Sequence, residues 1–191
     1  MKKTVISVVL CAAVLLGVSA ALNKTANRNW NREHLWLMQT LLPGSEAFVK
    51  IPYDGEDTNI TAVHKSDNGF VVQTVTNGYA GEITVSVGVN LDGRVTGLVV
   101  EEAHETLGLG SRILTDHVFL SQFLNKTGSF EIAVQEADAL TGATAVAETE
   151  GEAVPVDGIS GATVSSKAVI RCVNSAVAYV TGADAVSAAT G

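Results

Sequence analysis

Cysteine is almost missing from this chain. Cys11 and Cys172 are the only two, so neither a disulfide framework nor a CxxC-type metal site can be assembled. Four histidines, His34, His64, His104 and His117, lie far apart without HExxH or HxH spacing, which leaves no metal-ligand pattern. Basic residues are also in short supply. Twelve Lys and Arg stand against 20 Asp and Glu, a formal net charge of −8. Nothing in that balance could neutralise a run of phosphates, so nucleic acid is excluded as a partner. At 191 residues the chain suits one modest domain with an appendage and is too short for two domains of ordinary size. Apolar residues make up 47% of it, enough for a packed core, and global disorder is excluded.

What is present begins at the N-terminus. Met1-Lys2-Lys3 precedes an uncharged apolar run over 5–22. Eighteen residues at ~1.5 Å each span ~27 Å, the depth of a bilayer's hydrocarbon core. A signal peptide cut near Val18-Ser19-Ala20 is one reading. The run exceeds the ~7–15 residues of a signal core, which favours an uncleaved anchor over 1–22. A lipoprotein is excluded because Cys11 sits in mid-run. Lys2 and Lys3 argue for a cytoplasmic N-terminus, but Lys24, Arg28 and Arg32 pull the other way, and charge alone leaves the orientation open. Residues 23–45 read as a juxtamembrane helix and linker. Within them Trp30 and Trp36 belong either to the headgroup level or to a short helix ending at Pro43-Gly44. A domain over 46–182 and a frayed tail over 183–191 follow.

Inside that domain the pattern is strands first, helix last. Residues 70–76 are rich in β-branched side chains, and Asn77-Gly78 is a hairpin signal. Ile83, Val85, Val87 and Val89 alternate with Thr84, Ser86 and Gly88, the pattern of a half-buried strand. Asp92-Gly93 marks a second turn, and 95–100 a third strand. A polar, glycine-containing loop runs from His104 to Gly110. Residues 116–124 read as a short helix, 130–134 as a strand, and 135–154 as a loop without periodicity. Ala168, Val169, Cys172, Val173, Ala176, Val177 and Val180 recur at helical spacing, which predicts a helix over 165–180 stopped by Thr181-Gly182. Cys172 falls on the apolar stripe and reads as a small core residue. No regular βαβ alternation occurs. The expected class is α+β, an antiparallel sheet with packed helices behind one N-terminal transmembrane helix.

One stretch carries chemistry: Asp157-Gly158-Ile159-Ser160-Gly161-Ala162-Thr163-Val164-Ser165-Ser166, leading into the final helix. Gly161 and Ala162 permit close approach to the backbone. Ser160, Thr163, Ser165 and Ser166 offer hydroxyls where free N–H groups and the positive end of the helix dipole also point. Together these make an anion site suited to phosphate, with Lys167 adding a nearby cation. Ordinary N-capping by Ser or Thr is the competing reading, and on spacing alone the simpler one.

Ser160-Gly161-Ala162-Thr163 with Ser165-Ser166 resembles the covalent flavin-attachment motif of the FMN-binding domain family, found in the G subunit of Rnf electron-transport complexes and the C subunit of the sodium-pumping NADH:quinone reductase. The resemblance extends along most of the chain. Gly78-Tyr79-Ala80-Gly81-Glu82-Ile83 is similar to that family's GYxGxI segment. Asp92-Gly93-Arg94-Val95, followed by His104-Glu105-Thr106-Leu107-Gly108-Leu109-Gly110, is similar to its DGxI…HxETPGLG segment. Gln122-Phe123 fits the pattern after it. Leu107 departs from the family, which has proline there, and its absence loosens the loop. An N-terminal anchor and Leu42-Pro43-Gly44 also match the Rnf subunit, and the chain's length suits it better than the longer quinone-reductase subunit.

The resemblance implies FMN joined by a phosphoester to Thr163, bordered by Ser160, Gly161, Ala162, Ser165 and Ser166. Glu105, Thr106, Leu107 and Gly108 would line the flavin ring. His104 would either bond the ring or a loop carbonyl, or be an ordinary structural histidine. It further implies a redox subunit, not catalytic alone, with a flavin transferase for maturation and other subunits of an Rnf-type ferredoxin:NAD oxidoreductase pumping Na⁺ or H⁺ as partners. Its place would be the inner membrane, single-pass, with the flavin domain on the extracytoplasmic side. Two alternatives stay open: an extracytoplasmic flavin carrier of another respiratory chain, and a secreted non-redox binding module. Asp138-Ala139-Leu140-Thr141-Gly142-Ala143-Thr144 echoes the motif. Ala145-Val146-Ala147-Glu148 follows it, without the serine pair or an amphipathic helix, so Thr163 is expected to be the attachment residue.

Overall fold

The computed structural model describes residues 34–105, 110–133 and 153–182. The expected anchor over 1–22, Thr106, Leu107 and Gly108, the Thr144 sequence and the tail over 183–191 lie outside them. Among the described residues no helix is long and apolar enough to cross a membrane. Contacts divide the chain between Leu37 and Met38, and everything below concerns the second unit.

Five strands form an antiparallel meander in the order β1-β2-β3-β4-β5. They are β1 (Val49–Ile51), β2 (Ile60–Lys65), β3 (Gly69–Asn77), β4 (Glu82–Asn90) and β5 (Val95–Ala103). The three expected strands are β3, β4 and β5. Two more, β1 and β2, precede them. A register shift between Ile60 and Ala62 breaks the alternation of β2, and β1 is a three-residue edge with Val49 exposed, so neither displays a period of two. Both expected turns are present. Asn77 pairs with Glu82 across a loop over 78–81, where Gly78 N–H donates to the Gly81 carbonyl at 2.8 Å. At the other, the Asn90 side chain accepts from the N–H groups of Asp92 (3.1 Å) and Arg94 (2.9 Å), and Gly93 takes φ +75°, a conformation that favours glycine.

After the sheet come a 3₁₀ turn (Gly110–Leu114), the short helix α1 (His117–Ser121), β6 (Phe130–Ile132), β7 (Val154–Val156) and the long helix α2 (Thr163–Thr181). Asp116 caps α1 by accepting from Phe119 N–H at 3.0 Å. A left-handed Gly182 ends α2, as its sequence position predicts. β6 pairs in parallel with β7. Of the loop expected over 135–154, residues 135–152 lie outside the described residues, and its last position, Val154, instead begins β7, a strand that becomes visible only when its distant partner is in place.

The apolar stripe of α2 packs on β3 and β4. Val169, Cys172, Val173, Ala176 and Val177 meet Val72, Ile83, Val85, Val87 and Val89, all buried, each large aliphatic side chain contributing about 1.5–3 kcal/mol of transfer free energy. Phe119, Phe123 and Phe130 close one end edge to face. Cys172 is the core residue its spacing predicts. Burial pushes its thiol up to about 11, outweighing a hydrogen bond with Thr74 and the charge of Arg171, which pull it down.

The opposite face of β4 is not the open face its alternation predicts, because Ser86 and Gly88 are buried as well. The cover comes from the segment over 38–45. Leu41 and Leu42 are buried, Thr96 Oγ1 donates to the Leu41 carbonyl at 2.6 Å, and Leu41 crosses the sheet where Gly88 pairs with Gly97. A Cβ on Gly88 would collide with the Leu41 carbonyl oxygen, and one on Gly97 would stand 2.9 Å from the Leu41 Cα. The paired glycines cut a track through which the crossing chain runs.

Gly88→Ala is expected to cost ~1–3 kcal/mol, because overpacked backbone must shift; an unchanged urea midpoint would refute the track. Cys172 stays protonated in the fold between its ordinary value of 9.0 and about 11, whereas the unfolded thiol ionises there. Stability should therefore fall as pH rises through that window, and Cys172→Ala should flatten that part of the pH profile.

Candidate functional site

The informative decapeptide folds into a tight turn running directly into α2. Ala162 N–H donates to the Ile159 carbonyl at 2.9 Å, closing residues 159–162, and Gly161 takes φ +78° at the third position, where only glycine fits without strain. Two ties fix this turn. Ile159 N–H donates to Ser166 Oγ (3.1 Å), and that hydroxyl donates to the Ala162 carbonyl (2.9 Å). The Gln122 side chain brackets the Asp157 backbone, accepting from its N–H at 2.8 Å and donating to its carbonyl at 3.1 Å. Ser166 is thus fully occupied inside the core.

Helix α2 starts without the capping serine or threonine that the simpler reading requires. Its N-cap is Ala162, and no side chain caps it. Helical geometry leaves the N–H groups of Thr163, Val164 and Ser165 without intrahelical acceptors, and the first turn has no acidic residue. The helix dipole concentrates roughly half a positive charge there. Ser165 adds a further donor. It is 1% exposed, and its Oγ has no hydrogen-bond partner, a condition that ordinarily costs about 1–3 kcal/mol.

A cavity of about 370 Å³ opens at this helix start, lined by Tyr79, Gly110, Gly161, Ala162, Thr163, Val164 and Ser165. That size falls within the ~300–1,000 Å³ of small-molecule sites. Thr163 is exposed at its edge while Ser165 is sealed into its wall. The combination can hold an anionic group against three backbone donors and one hydroxyl, with a bulky apolar body beside them.

Of the residues expected at a site, Gly161, Ala162, Thr163 and Ser165 line the cavity together. Ser160 is exposed on the turn outside the lining. Ser166 stands behind, holding the turn. Glu105 points to the 78–81 loop, its Oε1 accepting from Tyr79 N–H at 2.6 Å and its Oε2 from Ala80 N–H at 3.3 Å. His104 pairs instead with the exposed Glu102, at 3.0 Å. Tyr79, Gly110 and Val164 complete the lining, each within a segment the sequence singled out but none named there as an individual site residue. Tyr79 lies in a segment whose spacing is visible, but nothing local says that its hairpin tip meets a helix more than 80 positions away.

Ser166→Ala should lower stability by ~1–3 kcal/mol, since Ile159 N–H would be buried without an acceptor. A denaturation midpoint equal to the parent's would show that the turn does not depend on this hydroxyl.

The sequence pattern of the FMN-binding domain matches residues 78–178, more than half of the chain. The G subunit of the Na⁺-translocating ferredoxin:NAD⁺ oxidoreductase complex of Acetobacterium woodii is 34% identical over 110 residues, which cover 57% of this chain and 47% of that protein. The G subunit of the proton-translocating counterpart in Clostridium ljungdahlii is 35% identical, over 59% of this chain and 53% of that one. The chain thus spans about half the length of these two relatives. The G subunit of the ion-translocating oxidoreductase complex of Salmonella typhimurium aligns over 93% of this chain and 90% of its own, at 28% identity. Among solved structures, NqrC of Shewanella oneidensis is similar over 72% of this chain and 65% of its own, with 22% identity and a TM-score of 0.45. The chain belongs to the FMN-binding domain family.

Proposed function

We propose that this chain carries FMN covalently on Thr163 and relays electrons as a subunit of an Rnf-type ion-translocating ferredoxin:NAD oxidoreductase. The observation that carries the reading is the uncapped start of α2. An exposed threonine sits there beside free N–H groups, and Ser165, which lines the same cavity, keeps a buried hydroxyl without a partner. These groups fit a phosphoester. The N–H groups of Thr163, Val164 and Ser165 would receive its oxygens, Ser165 Oγ–H would satisfy itself on it, and Gly161 would let it approach the backbone. Ser160 would flank the site from the turn, and Ser166 would hold that turn without touching the group.

FMN bound in this way supplies one- or two-electron chemistry, its ring unmodified because attachment is through the phosphate. The chain's contribution is retention and placement. A covalent tether abolishes dissociation, and the folded turn fixes where the tether emerges. Thr163 is consumed once, at maturation. Its Oγ–P bond would form as the pyrophosphate of a flavin dinucleotide breaks on a separate flavin transferase, with a nucleoside monophosphate leaving and the hydroxyl proton passing to that enzyme. The apolar run over 5–22 would anchor the chain as a single span, with residues 23–45 leading to the domain and the flavin on the extracytoplasmic side. Other membrane and peripheral subunits would exchange electrons with it and conduct the ion.

Co-expression with a flavin transferase should add one FMN-phosphoryl mass to the intact chain, and yellow absorbance should stay with the denatured polypeptide. Thr163→Val should abolish both. A transferase-treated wild-type chain at its bare amino-acid mass would end the proposal.

A further inference from the structure

Lining the cavity together with Thr163 is a residue to which the attachment motif assigns nothing. Tyr79 is 71% exposed at the tip of the β3–β4 hairpin, yet it forms part of the wall that Thr163, Val164 and Ser165 complete. An exposed tyrosine on a loop is ordinarily unremarked. This one sits on a backbone held from two sides. Glu105 accepts from the N–H groups of Tyr79 and Ala80. From α2, Arg171 Nη2 donates to the Asn77 carbonyl at 2.8 Å, tying the hairpin to the same helix that begins at Thr163. Room for the carboxylate is made by glycine on both sides. A Cβ on Gly78 would overlap Glu105 Oε1, and one on Gly110 would lie 2.7 Å from Oε2.

From this geometry, and resting on FMN attachment at Thr163, we infer that the Tyr79 ring is the stacking platform for the isoalloxazine, and that Glu105 is a positioning residue that sets the platform through the backbone of the hairpin tip. A flat, tricyclic π-system tethered at Thr163 needs an apolar face within the reach of its ribityl chain. Among the described residues that line the cavity, Tyr79 is the aromatic one. Offset stacking of such rings strengthens contact beyond area burial. Tyrosine also donates an electron to an excited flavin, so contact leaves a signature that mere structural support does not: quenched flavin emission.

The test uses full-length protein matured with a flavin transferase, its flavin content fixed by intact mass. Tyr79→Ala should keep the added mass, raise flavin emission several-fold and lower its anisotropy as the ring is released. Tyr79→Phe should raise emission while anisotropy stays high, because stacking survives and the phenol donor does not. Glu105→Gln should raise emission and lower anisotropy by less than Tyr79→Ala, at an unchanged melting temperature. Mass-loaded Tyr79→Ala with wild-type emission and anisotropy would overturn the platform alone. Absence of the added mass from wild type would overturn the attachment together with it.

Discussion

Burial of one face of helix α2 against the valine-rich face of β3 and β4 is the constraint from which the rest follows. The helix has little freedom once Val169, Cys172, Val173, Ala176 and Val177 are locked among Val72, Val85 and Val87, since close-packed interiors do not accommodate sliding. Its first residue is therefore delivered to a fixed place. That place is the end of the sheet where the β3–β4 hairpin turns, so a threonine and a tyrosine from distant parts of the chain share one cavity. The Ile159–Ser166–Ala162 hydrogen bonds extend the same order backward into the turn.

A division of labour between neighbouring groups recurs at this site. Ser166 spends its hydroxyl on the backbone and is structural. Ser165, next to it, keeps its hydroxyl unspent inside the wall. Glu105 commits both carboxylate oxygens to the hairpin tip and leaves the Tyr79 ring projecting. In each pair one residue is committed to the backbone while the other is left uncommitted, and under the proposed FMN attachment such preorganisation would lower the ordering entropy of binding.

The segment over 38–45 plays a comparable part on the far side of the sheet. Its passage over Gly88 and Gly97 closes a face that an alternating strand would otherwise show to solvent. The chain leading into the domain is consequently part of the domain's packing.

Much of the architecture was legible in the residues. The period-3.6 stripe and Gly182 mark α2, and the alternation around Asn77-Gly78 and Asp92-Gly93 marks the central hairpins, because these signals are written within a few neighbouring positions. Strands β1 and β2 escaped because a register shift and an exposed edge erase the alternation. The strand expected over 130–134 is β6, whereas β7 and its parallel pairing escaped because the partners lie more than 20 residues apart. The motif pointed to Thr163, yet only tertiary structure could separate Ser165 from Ser166. Adjacent helix positions differ by about 100° in direction, and what each meets depends on the packing of elements elsewhere. The same holds for Tyr79: sequence made it a hairpin residue, whereas strand pairing and the Arg171 bond from α2 made it a wall of the site, since cross-chain contact is a property of the packed fold and not of local order.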